Sequence, residues 1–120
     1  MAIRDKDKID GISEIPGNGP IRLLMIEDRE WTFSSTQLEE FENKISAYYN
    51  FVATGQLTRA LPGSNDRKCI VELRCQHEPP EKFMQMFHQV TALYAKRAIE
   101  FKVVLVRSLG GATAELQLYP

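Results

Sequence analysis

Residues 38–52 place Leu38, Phe41, Ile45, Tyr48 and Val52 at steps of three and four. That spacing puts all five on one side of an α-helix. Segments of strand character flank it, IRLLMIED before and KCIVELRC after. A second helical stripe follows in Phe83, Met86, Phe87, Val90, Tyr94 and Ala98, and then the strand-like FKVVLVR. A chain that switches repeatedly between strand and helix hides its apolar residues by laying helices on a sheet. The pattern predicts a single α+β domain over residues 1–120, in the order ββαβαββ. One sheet of about five strands, mainly antiparallel or mixed, carries two helices packed on one face.

The ends of these elements are also written in the sequence. Ser34 is placed to cap the first helix, with Gln37 completing a capping box and Phe33 and Leu38 in the positions of a hydrophobic staple. Gly55 is suited to end it. Glu39, Glu40, Glu42, Asn43 and Lys44 are assigned to the wet side. Residues 1–7 are read as a flexible N-terminus. KIDGISE, 8–14, is a short first strand, joined to the second through Gly17, Asn18, Gly19 and Pro20. Residues 56–67 combine Pro, Gly, Ser, Asn and Asp and are read as a loop. Pro79 and Pro80 lead into the second helix, and Lys96 and Arg97 stand near its positive-favouring end.

Cys69, Val71, Leu73 and Cys75 alternate with Ile70, Glu72 and Arg74, which predicts a half-buried strand. Gly110-Gly111 is a two-residue hairpin turn. It sets Leu105 opposite Leu116 and Val103 opposite Leu118, with Ala112, Ala114, Leu116 and Leu118 on the matching face.

Charge removes some functions. The 15 basic and 16 acidic residues leave a net charge of −1, without the basic excess of a general nucleic-acid binder. The N-terminal MAIRDKDKIDG lacks the apolar centre of a secretory signal. No apolar run approaches the ~18–20 residues that cross a bilayer. A cytoplasmic location with no membrane partner is the expectation.

The candidate chemistry is sparse. His77 and His88 are eleven apart in HEPPEKFMQMFH, with two prolines between His77 and the helix. Glu81 and His88 share a helical face but lie about 10 Å apart along the axis. One metal ion with ligand bonds of ~2 Å cannot bridge them. Cys69 and Cys75 on one extended strand are separated by ~20 Å, too far for a mutual disulfide. They read as two buried thiols. No phosphate loop, nucleophile elbow or zinc spacing occurs, and neither cofactor nor metal is expected. Asp28 and Trp31 leave the second strand together. With Tyr49 and His77 they form a candidate ligand-binding group, set against a plainer reading in which Trp31 folds back as a lid on the core.

The strand around Ile9-Asp10 and the strand ending in Asp28 and Trp31 carry a likeness to a known family. So do the helix with Leu38, Lys44, Ile45, Tyr48 and Phe51, and Gly55-Gln56-Leu57 after it. With the later strand, its proline-led helix and the strand at 101–107, residues 8–107 resemble a family of small bacterial proteins classed as a domain of unknown function. The resemblance implies a bacterial, cytosolic α+β domain and carries over no functional residue. The last hairpin runs past the family's usual end.

The leading expectation is a non-enzymatic interaction domain that binds its own copy as a homodimer, or another protein. Its motive is a surplus of apolar residues on outer strand faces, namely Leu24, Ile26, Ile70, Val104 and Val106. The rivals are a small-ligand-binding protein or enzyme, with a site near Asp28, Trp31, Tyr49 and His77, and an immunity-type inhibitor of a toxin.

Overall fold

Two long helices lie against the same side of a five-stranded mixed sheet. The computed structural model describes residues 9–14, 19–32, 34–63, 67–109 and 111–119. Its elements are β1 (Gly11–Glu14), β2 (Ile21–Glu27), α1 (Ser35–Ala53), α2 (Gln56–Ala60), β3 (Cys69–Cys75), α3 (Phe83–Ala95), β4 (Ile99–Leu109) and β5 (Ala112–Tyr119). Strands stand in the order β1-β2-β3-β4-β5. The inner pairs β2–β3 and β3–β4 are parallel, and antiparallel β1 and β5 close the two sides. The architecture is the α+β sheet expected from the sequence.

Alternation decides which side is covered. Ile21, Leu23 and Met25 of β2, Cys69, Val71, Leu73 and Cys75 of β3, and Ile99, Phe101 and Val103 of β4 form one buried cluster. Phe41, Ile45 and Tyr48 of α1 and Phe83, Phe87, Val90 and Tyr94 of α3 complete it. Phe41 meets Phe87 edge-on at 6.2 Å between ring centroids, so the helices touch each other as well as the sheet. The opposite residues, Arg22, Leu24, Ile26, Ile70, Glu72, Arg74, Lys102, Val104 and Val106, share the other face. None of the described helices packs there.

Several expectations shift. Lys44, assigned to the wet side of α1, is fully buried. It sits three residues from Phe41 and four from Tyr48, within the inward stripe. Ser34 caps α1 by accepting from the Gln37 amide. The Gln37 side chain, however, accepts from the Thr32 amide at 2.8 Å instead of closing a capping box on Ser34. Gly55, at φ +81°, ends the α1 turn as expected, but α2 then occupies the first five positions of the predicted loop. Backbone bonds from Arg59 to Gly55 and from Leu61 to Leu57 hold that turn, and Leu57 enters the core. The second helix stops at Ala95, and Ala98 stands outside it at φ +56°.

The last hairpin keeps its predicted register from Leu109–Ala112 to Val104–Gln117. A bulge then pairs Val103 with Tyr119 in place of Leu118. The extra residue turns Tyr119 inward, where its ring lies 5.8 Å from Phe87 and 6.2 Å from Phe101. Ala112, Ala114 and Leu116 stay exposed, because β4 runs past the end of β3 and carries the hairpin beyond the helices. The N-terminus through Lys8, the turn residues Gly17 and Asn18, the staple residue Phe33, and Gly110 lie outside the described residues.

Candidate functional site

Open α/β sheets offer their usual ligand crevice beyond the C-terminal ends of parallel strands. Here that edge is filled by a self-satisfied polar cluster. Glu27, the last residue of β2, is fully buried. Its carboxylate accepts from the Arg29 amide and Nε, both at 3.0 Å, and from Arg29 Nη2 at 3.0 Å. Gln37 Nε2 adds a bond at 3.3 Å, and Arg29 Nη2 also reaches Glu40 at 2.9 Å. The hydrogen bond to Glu27 raises the guanidinium's pKa against the opposing effect of burial. This arrangement fixes the β2–α1 turn.

The predicted ligand group does not assemble as one cluster. Trp31 and His77 meet, since the indole Nε1 donates to the His77 carbonyl at 2.9 Å. The Trp31 ring packs on Phe83 at 4.7 Å and on Phe41 at 6.4 Å, as a lid on the core. Asp28 is exposed at the same strand end. Tyr49 sits fourteen positions into α1, about 20 Å along the axis from its start. There it stacks on Tyr94 and lies under Arg97.

The uncovered face of the sheet carries a ladder of charge. Glu72 stands between Arg22 at 3.8 Å and Arg74 at 2.6 Å, and Arg74 continues to Glu115 of β5 at 3.1 Å. The bond to Arg74 pulls the Glu115 carboxyl below its ordinary pKa. Ile70 and Val104 are buried beneath this ladder at 7% and 6% exposure, while Leu24, Ile26 and Val106 remain half-buried. A hollow of about 180 Å³ opens between Ile26, Arg74, Cys75, Gln76 and Val106. Arg22 Nε, also on this face, is a buried donor with no hydrogen-bond partner among the described residues.

The profile of a family of unknown function, DUF6572, matches residues 1–107. The chain belongs to this family. No curated protein and no solved structure matches it. The DUF6572 portion holds β1 to β3, the three described helices and most of β4. β5 lies beyond the matched residues, yet its Tyr119 hydroxyl joins His88 Nδ1 at 3.0 Å and Thr91 Oγ1 at 2.9 Å on α3.

One further cluster in this DUF6572 chain goes beyond what the sequence pattern predicts, and the two thiols lie buried and free as expected. Lys44 Nζ lies 2.9 Å from Asp10 Oδ1, and Asp10 Oδ2 accepts from the Ile26 amide at 2.9 Å. The Tyr48 hydroxyl accepts from the Asp10 amide and donates to the Leu24 carbonyl. The signal was available: a lysine inside an apolar helical stripe needs an acid, and Asp10 enters the adjoining strand. Cys69 and Cys75 are both free and buried. Burial pushes Cys69 up to about 11 and Cys75 up to about 12, the latter with help from Glu27. Neither is poised as a nucleophile, because the thiolate is the reactive form. Among the described residues, no group of three or more His, Cys, Asp or Glu is arranged to hold a metal ion. No described helix is long and apolar enough to cross a membrane.

Proposed function

We propose that this chain is a non-catalytic interaction domain that self-associates through the open face of its sheet. One observation carries the reading. Helices screen one side of the sheet, and the other side retains half-buried Leu24, Ile26 and Val106, the last two lining a hollow. Apolar side chains at such positions gain from a second surface laid over them. The charges on this face favour a protein over a polyanion. Both signs are interleaved there, with Lys68 2.5 Å from Glu100, Arg22 and Arg74 on either side of Glu72, and Arg74 reaching Glu115, so a two-fold copy meets a mixed surface. The polar clusters elsewhere bind their own members, which supports a structural role for them over a catalytic one.

Static light scattering at micromolar concentration tests the reading. The wild-type chain is expected at a multiple of its 13.7 kDa mass. Ile26→Glu and Val106→Glu, both at half-buried positions, should lower that mass. A wild type that stays at 13.7 kDa at high concentration contradicts it.

A further inference from the structure

We infer that β5 is a pairing edge for a second copy of this chain, joined antiparallel about a two-fold axis at Leu116. This contact is separate from the sheet face considered above. Among the described residues β5 is the last strand of the sheet, bonded to β4 on one side only. In a hairpin closed by a two-residue turn, the pairs Leu109–Ala112, Arg107–Ala114 and Leu105–Leu116 exchange the hydrogen bonds. The backbone groups of Thr113, Glu115 and Gln117 therefore point away from β4. They form a row of donors and acceptors suited to another strand.

Protein edges are ordinarily blunted by lysine, proline or brevity. β1, at the opposite edge, is only four residues long. β5 has eight residues, without lysine or proline, and 112–117 are exposed throughout. Leu116 is the most exposed large hydrophobic residue among those described, at 60%. Beside it, on the helix side of the hairpin, lies a dent of about 90 Å³ lined by Leu105, Arg107, Ala114, Glu115 and Leu116.

Charge selects the register. Glu115 is the only charged residue of β5. A two-fold centred on it would set two carboxylates face to face, which opposes pairing. Moving the centre one residue, to Leu116, places Glu115 opposite Gln117 of the copy. It also sets Leu116 against its own counterpart in a non-hydrogen-bonded pair, where side chains approach most closely. Arg74 continues to hold Glu115 from the open face. The two-fold runs perpendicular to the sheet, so the helices of both copies stay on one side. Their open faces join on the other, in a single sheet with five strands from each copy.

Leu116→Cys and Leu116→Lys test this in the full chain, at a position exposed enough to leave folding intact. Under mild oxidation, Leu116→Cys should form an intermolecular disulfide at least tenfold faster than Thr113→Cys, which lies off the axis on the same strand. Leu116→Lys should halve the mass of the wild-type assembly in light scattering. Equal cross-linking rates, or a mass that Leu116→Lys leaves unchanged, overturns the inference. The two contacts separate cleanly. An assembly broken by Ile26→Glu but not by Leu116→Lys retains the face and removes the edge, and the reverse pattern retains the edge and removes the face.

Discussion

Lys44 Nζ on α1 and Asp10 Oδ1 beside β1 stand 2.9 Å apart with both side chains fully buried. The ion pair draws the helix onto the sheet's first hairpin, because the other Asp10 oxygen is bonded to β2 through the Ile26 amide. Removing one partner strands a charge away from water, at a cost of about 3–5 kcal/mol. Lys44→Met should therefore lose stability of that order in urea unfolding. Adding Asp10→Asn, which removes the charge and keeps an acceptor for Ile26, should recover part of the loss. A single variant with the wild-type midpoint would show that the pair does not hold the helix.

Tyr119 ties the hairpin to the core although it lies beyond the family match. It is 8% exposed, among Phe87, Phe101 and His88. Tyr119→Ala should destabilise the fold by roughly 3–5 kcal/mol, the range for buried aromatic truncation. Tyr119→Phe keeps the ring and loses only the bonds to His88 and Thr91, a loss of about 1 kcal/mol. Urea midpoints at equal slope measure both. A Tyr119→Ala variant as stable as Tyr119→Phe would place the ring outside the core.

The two thiols give a pH dependence of known sign. Their folded pKa values, about 11 and about 12, exceed the ordinary 9.0. A raised thiol pKa supports the fold fully below pH 9 and loses that support as pH rises toward the folded values. Stability should fall between about pH 9 and pH 12. At pH 8, a thiol reagent should label neither cysteine until the chain unfolds. Fast labelling of the native chain would contradict their burial.

Glu115 titrates in the opposite sense. The hydrogen bond to Arg74 holds its pKa below 4.5, so the link between β3 and β5 is present above that value and lost as pH falls through the lower one. Carboxyl-carbon NMR should find its midpoint below 4.5, and Arg74→Ala should return it to the ordinary value. An unchanged midpoint in the variant would mean that the bond is not made in solution.

The sequence carried the layers because their periods are global. Five stripe residues of α1 and the alternation of β3 each repeat one instruction several times. Single-residue choices were harder to read. Lys44 looks solvated by type, and only its spacing from Phe41 and Tyr48 places it inward. The bulge at Leu118 was hidden because an unbroken ladder satisfies the same alternation, and only the pull of Tyr119 into the aromatic cluster breaks it. The short α2 turn lies in a segment whose composition speaks of loops, yet Leu57 secures it by entering the core. The five outer apolar residues share one face because alternation along β2, β3 and β4 puts them there. Their differing burial is not legible in one strand alone, since Ile70 and Val104 stand beside Arg22 and Arg74 only once the strands pair. Trp31 and His77 came together, whereas Tyr49, grouped with them by residue type alone, belongs to the other end of α1.

Methyl NMR of the wild-type chain across a concentration series tests the docking face most directly. Signals from Leu24, Ile26 and Val106 should shift as concentration rises, while those of Ile45 and Leu93 on the helical side stay fixed. Spectra without concentration dependence, or with shifts confined to the helical side, would contradict self-association through the open face.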